Sequence, residues 1–125
     1  MNVWKDFKYL KDITHKQGEN WLSKKNILLG QIENELDLLD RHVNLLTIIL
    51  EKQPIGIIKL SELTNTPHHK VRYSLRILEN EGLIEPSPTG ALATQKAKTF
   101  ISELKEVLKR INKRMINLEK SLQPR

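Results

Sequence analysis

The feature that most limits how this chain can fold is the run Ile101, Leu104, Leu108, Ile111, Met115, Leu118 and Leu122. Its apolar residues alternate at spacings of three and four for three heptads with no polar intruder, and only a helix gathers such positions on one face. A second run, Leu22, Leu29, Ile32, Leu36, Leu39, Val43, Leu46 and Leu50, keeps the same spacing and misses one place near Lys25. Two long amphipathic helices therefore bracket the chain. At 1.5 Å per residue a last helix of about 28 residues spans roughly 42 Å, long for a small monomer. The 125 residues suit one ordinary domain and rule out a large multidomain enzyme.

The stretch between the runs has another texture. Val43, Leu45, Leu46, Ile48, Ile49 and Leu50 are apolar almost all round, so this end of the first helix belongs in a core. Gln53-Pro54-Ile55-Gly56 ends it, because proline cannot continue a helix. Ile57 and Ile58 suit a very short strand, and Ser61 to Leu63 a short helical segment. Thr66 as N-cap with Pro67 at the first helical position predicts a helix over about 67–81 that stops at Gly82. Leu83-Ile84-Glu85-Pro86 and Ala91-Leu92-Ala93-Thr94, joined by Ser87-Pro88-Thr89-Gly90, read as a small hairpin, after which Thr94 can cap the last helix. The fold class expected is mainly α with a small β-hairpin.

Leu60-Ser61-Glu62-Leu63, then Pro67 through Glu81 and Gly82-Leu83-Ile84, with apolar residues at Val71, Leu75 and Leu78, carry a family resemblance. Residues of about 41–94 resemble the winged helix-turn-helix domain of bacterial and archaeal transcriptional regulators. The resemblance implies a DNA-reading helix over 67–81, a wing formed by the hairpin, and a protein that works as a dimer to repress or activate genes. Helix periodicity agrees: with Val71, Leu75 and Leu78 packed inward, His68, His69, Arg72, Tyr73 and Arg76 turn outward or sideways. In a helix-turn-helix the second helix enters the major groove. Arg72 and Arg76, one turn apart, are then donors to guanine or phosphate, with Lys70 and Ser74 touching the backbone. Tyr73 adds a hydroxyl and a flat ring. The wing tip has no Arg or Lys for a minor groove, and only the hydroxyls and amides of Ser87 and Thr89 are available to a phosphate there. A protein-interaction module in a larger assembly is the alternative reading, since a fold does not fix a function.

The remaining regions are a segment over 1–17, a first dimerisation helix over 18–40 and a coiled-coil-like dimerisation helix over 95–125. With Leu29 and Ile32 as a and d positions, Glu33, Glu35 and Asp40 flank the first seam; with Ile101 and Leu104 as a and d, Lys105 and Arg114 flank the second. Acidic flanks on one helix and basic flanks on the other favour their antiparallel pairing. Ile27, Leu28, Leu38, Val107 and Ile116 lie off the seams and leave surplus apolar surface, which a second copy can cover as a four-helix homodimer interface. The interface residues expected are Leu29, Ile32, Leu36, Leu39, Ile101, Leu104, Leu108, Ile111, Met115 and Leu118. Trp4, Phe7, Leu10 and Ile13 recur every third position and suggest a short helix docking on that dimer.

Charge sharpens the picture. The formal net charge is +6, residues 54–94 are neutral in sum, and residues 95–125, with 9 basic and 3 acidic groups, carry a net +6 of their own. The basic groups of the middle domain instead collect around Lys70, Arg72 and Arg76. Catalysis, cofactors and metals find no support in the residues. There is no cysteine, His15, His42, His68 and His69 have no metal-ligand spacing, and the five glycines form no phosphate loop. Lys5, Asp6, Lys8, Lys11 and Asp12 interrupt the apolar run a signal peptide needs, and no stretch is long enough to span a bilayer, so a soluble cytoplasmic protein is expected. The operator, the effector and the sign of regulation are not legible.

Overall fold

The computed structural model describes residues 27–124. The expected segment over 1–17 with its aromatic residues, and the start of the first seam at Leu22, lie outside the described residues. The chain is mainly helical with a two-stranded antiparallel hairpin. In order it forms α1 (Ile27–Lys52), α2 (Ile57–Thr64), α3 (His68–Asn80), β1 (Ile84–Ser87), β2 (Gly90–Ala93) and α4 (Gln95–Ser121). It divides between Arg41 and His42 into two units, with α1 running through the division. Among the described residues no helix is long and apolar enough to cross a membrane.

From His42 onward one core organises the chain. Leu45, Leu46 and Ile49 of α1 are buried with Leu60 of α2, Val71 and Leu78 of α3, Leu83, Ile84 of β1 and Ala97 of α4. Taking one such Leu or Ile out of water stabilises the fold by about 1.5–3 kcal/mol. Val43, Ile48 and Leu50 are half-buried, in keeping with an apolar surface almost all round this end of α1. Helix α1 ends where proline follows, with Gln53 N–H donating to Ile49 O at 2.9 Å.

The expected strand at Ile57 and Ile58 is not there, because both residues are already in α2. Leu60 and Ser61 are buried and Ile57 is half-buried, a helical i, i+3, i+4 set that leaves Ile58 exposed. The extended residue is Ile55, whose N–H donates to Ala91 O at 3.3 Å and whose carbonyl accepts from Ala91 N–H at 2.8 Å. Helix α2 closes at Asn65, left-handed at φ 49° and ψ 44°, where asparagine is among the few tolerated side chains.

Helix α3 begins one residue later than the sequence suggests. Pro67 is extended at ψ 147°, and its carbonyl accepts from Lys70 and Val71 N–H, both at 3.1 Å, so proline takes the N-cap place expected for Thr66. The Thr66 hydroxyl donates back to Thr64 O instead. At the other end Gly82 N–H donates to Glu79 O and Leu83 N–H to Leu78 O, both at 2.9 Å, with Gly82 at φ 74°. This Schellman arrangement brings Leu83 onto Leu78 in the core.

The hairpin pairs Ile84 with Ala93, Glu85 with Leu92, Pro86 with Ala91 and Ser87 with Gly90. Glycine is required at position 90: its φ is 135°, and a Cβ there would lie 2.5 Å from the Ile55 carbonyl carbon. Thr94 is the N-cap residue of α4 as expected, but its side chain does not cap. Its hydroxyl donates to Gly82 O at 2.6 Å, and Lys96 Nζ donates to Glu81 O at 2.9 Å, tying the start of α4 to the end of α3.

Of the residues expected on the seams, Ile101 and Leu104 are half-buried, and Ile101 packs on the core. Leu39 is half-buried as well. Leu29, Ile32, Leu36, Leu108, Ile111, Met115 and Leu118 all remain open, at 40–62% exposure.

Candidate nucleic-acid interface

Helix α3 is thirteen residues long and strongly two-sided. Val71, Ser74 and Leu78 are buried at spacings of three and four, while Leu75 and Ile77 are half-buried on the flanks. This anchored face fixes what points away. His69, Arg72, Tyr73 and Arg76 stand at i, i+3, i+4 and i+7, all exposed on the opposite side, with His68 and Lys70 exposed in the first turn. Among the described residues no ion pair or side-chain hydrogen bond involves Arg72, Arg76, Lys70, His68 or His69. The guanidinium forks, which match phosphate and base-edge acceptors bidentately, are thus uncommitted.

Ser74, expected to touch a nucleic-acid backbone, is corrected by the structure. It is fully buried, and its Oγ lies 2.8 Å from Nδ1 of His42 on α1. A residue three after Val71 and four before Leu78 falls on the packed face, and the His42 imidazole satisfies the hydroxyl there. The His42 ring also sits 6.0 Å from the Tyr73 ring, tilted by 45°. His42 thus positions α3 at two successive residues. The sequence held one signal for it: His42 precedes Leu45 and Leu46 by three and four residues, which puts it on the core side of α1.

The hairpin tip offers less than α3. Ser87 Oγ donates to Gly90 O at 2.6 Å and accepts from Thr89 N–H at 3.3 Å, so this hydroxyl stabilises the turn. Thr89 is exposed, with its hydroxyl 3.4 Å from that of Ser87. Gln53 and Gly90, which the sequence reading passed over as site-shaping residues, hold the hairpin in place. Gln53 Oε1 accepts from Ala93 N–H at 2.8 Å, and Gly90 permits the close approach of Ile55. Among the described residues no group of three or more His, Asp or Glu is placed to hold a metal ion.

The arrangement can present a cationic, hydrogen-bonding helix face to a polyanion. No protein-family model matches the sequence, and no curated protein matches it either.

Proposed function

We propose that this chain is a winged helix-turn-helix protein that binds double-stranded DNA as a homodimer and regulates transcription, with α3 as the reading helix in the major groove. One observation carries the reading: His69, Arg72, Tyr73 and Arg76 form a single exposed face on a helix whose other face is locked into the core. An α-helix fits the major groove, where arginine pairs bidentately with guanine O6 and N7 or binds phosphate. The order supports the same assignment, since α2 and α3 are joined by a short turn over 65–67 and are followed by a hairpin that Ile55 extends by one bridge. Phosphate contact falls to Lys70 and Thr89, and the positive end of the α3 dipole favours an anion at the same place.

The homodimer is supported by the open apolar stripes of α1 and α4, because exposed patches of that kind mark interaction surfaces. Two copies would offer two reading helices to successive major grooves about 34–36 Å apart. The test is a salt titration of binding to mixed-sequence duplex DNA. Wild type should lose affinity steeply with salt, and Arg72→Ala/Arg76→Ala should bind more weakly with a shallower slope. Equal binding by the two proteins at every salt concentration would remove the assignment.

A second reading, a protein-interaction module, draws on α2, where Ile58 and Leu63 are exposed at 67% and 45%. On that reading Ile58→Asp would abolish complex formation with a protein partner, and duplex DNA would bind no better than any polyanion.

A further inference from the structure

We propose that the open stripes are closed by a reciprocal exchange between two copies: residues 27–41 of α1 from one protomer lie antiparallel against residues 104–118 of α4 from its partner, once on each side of the dimer. The proposal rests on the dimer reading above and adds which surface meets which.

Net charge selects the pairing. Residues 27–41 carry Glu33, Glu35, Asp37 and Asp40 against Arg41, net −3, whereas residues 104–118 carry five basic groups against Glu106, net +4. Two α4 helices side by side would bring +4 against +4 at about 8–10 Å, comparable to the screening length of about 8 Å in physiological salt. An α1 helix against α4 brings opposite signs together.

Register then sharpens the pairing. An antiparallel seam sets a positions against d positions, and one such alignment places Ile32 opposite Met115, Leu36 opposite Ile111 and Leu39 opposite Leu108. In that alignment the flanking places put Glu35 beside Arg114, Asp40 beside Lys105 and Glu33 beside Asn112. No like charges meet on the flanks. The apolar alternation alone does not require this agreement: a slide of one heptad keeps the a–d layers but in one direction sets Glu33 beside Glu119 and in the other leaves Glu35 beside Val107 and Arg114 beside Leu28.

The experiment is a charge swap on the full chain, read by sedimentation equilibrium. Glu33→Lys/Glu35→Lys/Asp40→Lys makes the flanks of both seams basic, and Lys105→Glu/Arg114→Glu makes the flanks of both acidic. Each variant alone should self-associate at least about tenfold more weakly than wild type, since each flank then sets like charges together. An equimolar mixture should recover dimers, each basic flank meeting an acidic one across the two copies. A first variant that dimerises like wild type would overturn the proposal in favour of α4 meeting α4. A mixture that fails to recover would overturn it in favour of pairing within one chain. A wild type that stays monomeric at tens of micromolar would overturn the dimer itself, a separate failure. The absence of native cysteine provides a second measurement should a variant not fold. Under oxidation Leu36→Cys mixed with Ile111→Cys should crosslink while neither does alone, and crosslinking of Ile111→Cys by itself would again overturn the pairing.

Discussion

The two halves of α4 carry the same apolar alternation in different surroundings. In the first half Ala97 is buried and Phe100, Ile101, Leu104 and Val107 are half-buried against the core or beside it; from Leu108 to Leu122 every residue is exposed. Periodicity therefore states that a face will be covered but not by what. The half that the chain covers itself contributes to the stability of the fold, whereas the open half contributes only when something is placed on it.

Substitutions that separate packed from open surface put this contrast to the test, and the largest effect belongs to the tightest approach. Gly90→Val forces a side chain into the Ile55 backbone at a positive φ and should cost about 3 kcal/mol or more in urea unfolding. A loss under about 1 kcal/mol would mean that the hairpin gives way easily. Leu60→Ala, in the core, should cost about 3 kcal/mol, whereas Met115→Ala should cost under about 0.5 kcal/mol at concentrations where the chain is monomeric. Equal costs would erase the contrast between covered and open stripes. On α3 the outward face should separate from the inward one. Arg72→Ala/Arg76→Ala should leave unfolding unchanged and weaken duplex binding by about 1–3 kcal/mol per lost base contact. Ser74→Ala should do the reverse, costing about 1 kcal/mol of stability through the lost His42 bond. Its salt dependence of DNA binding should match that of wild type.

Element order was largely legible in the sequence. Proline at 54, glycine at 82 and the Pro- and Gly-containing tip at 86–90 mark the ends of α1, α3 and β1, and the alternation of three and four finds α1 and α4. Local signals misled where a tertiary contact competed. Ile57 and Ile58 have β-branched propensity, yet the core takes Leu60 on a helical spacing and passes the extended conformation to Ile55, which finds its partner in Ala91. Thr66 and Thr94 look like capping hydroxyls, and both hydroxyls go to other carbonyls. At the candidate interface, helix geometry alone places His69, Arg72, Tyr73 and Arg76 on one side. The same geometry turns Ser74, three after Val71 and four before Leu78, inward and away from the backbone contact expected of it. Its partner His42 is thirty-two residues away, and a pairing at that distance has no local signature.

The ties from Thr94 and Lys96 to the carbonyls of Gly82 and Glu81, just beyond α3, have a mechanical meaning. They splice the two helices end to start, so two side chains fix the first turn of α4 against the close of α3. The join runs directly from one helix to the next and does not pass through the hairpin ladder.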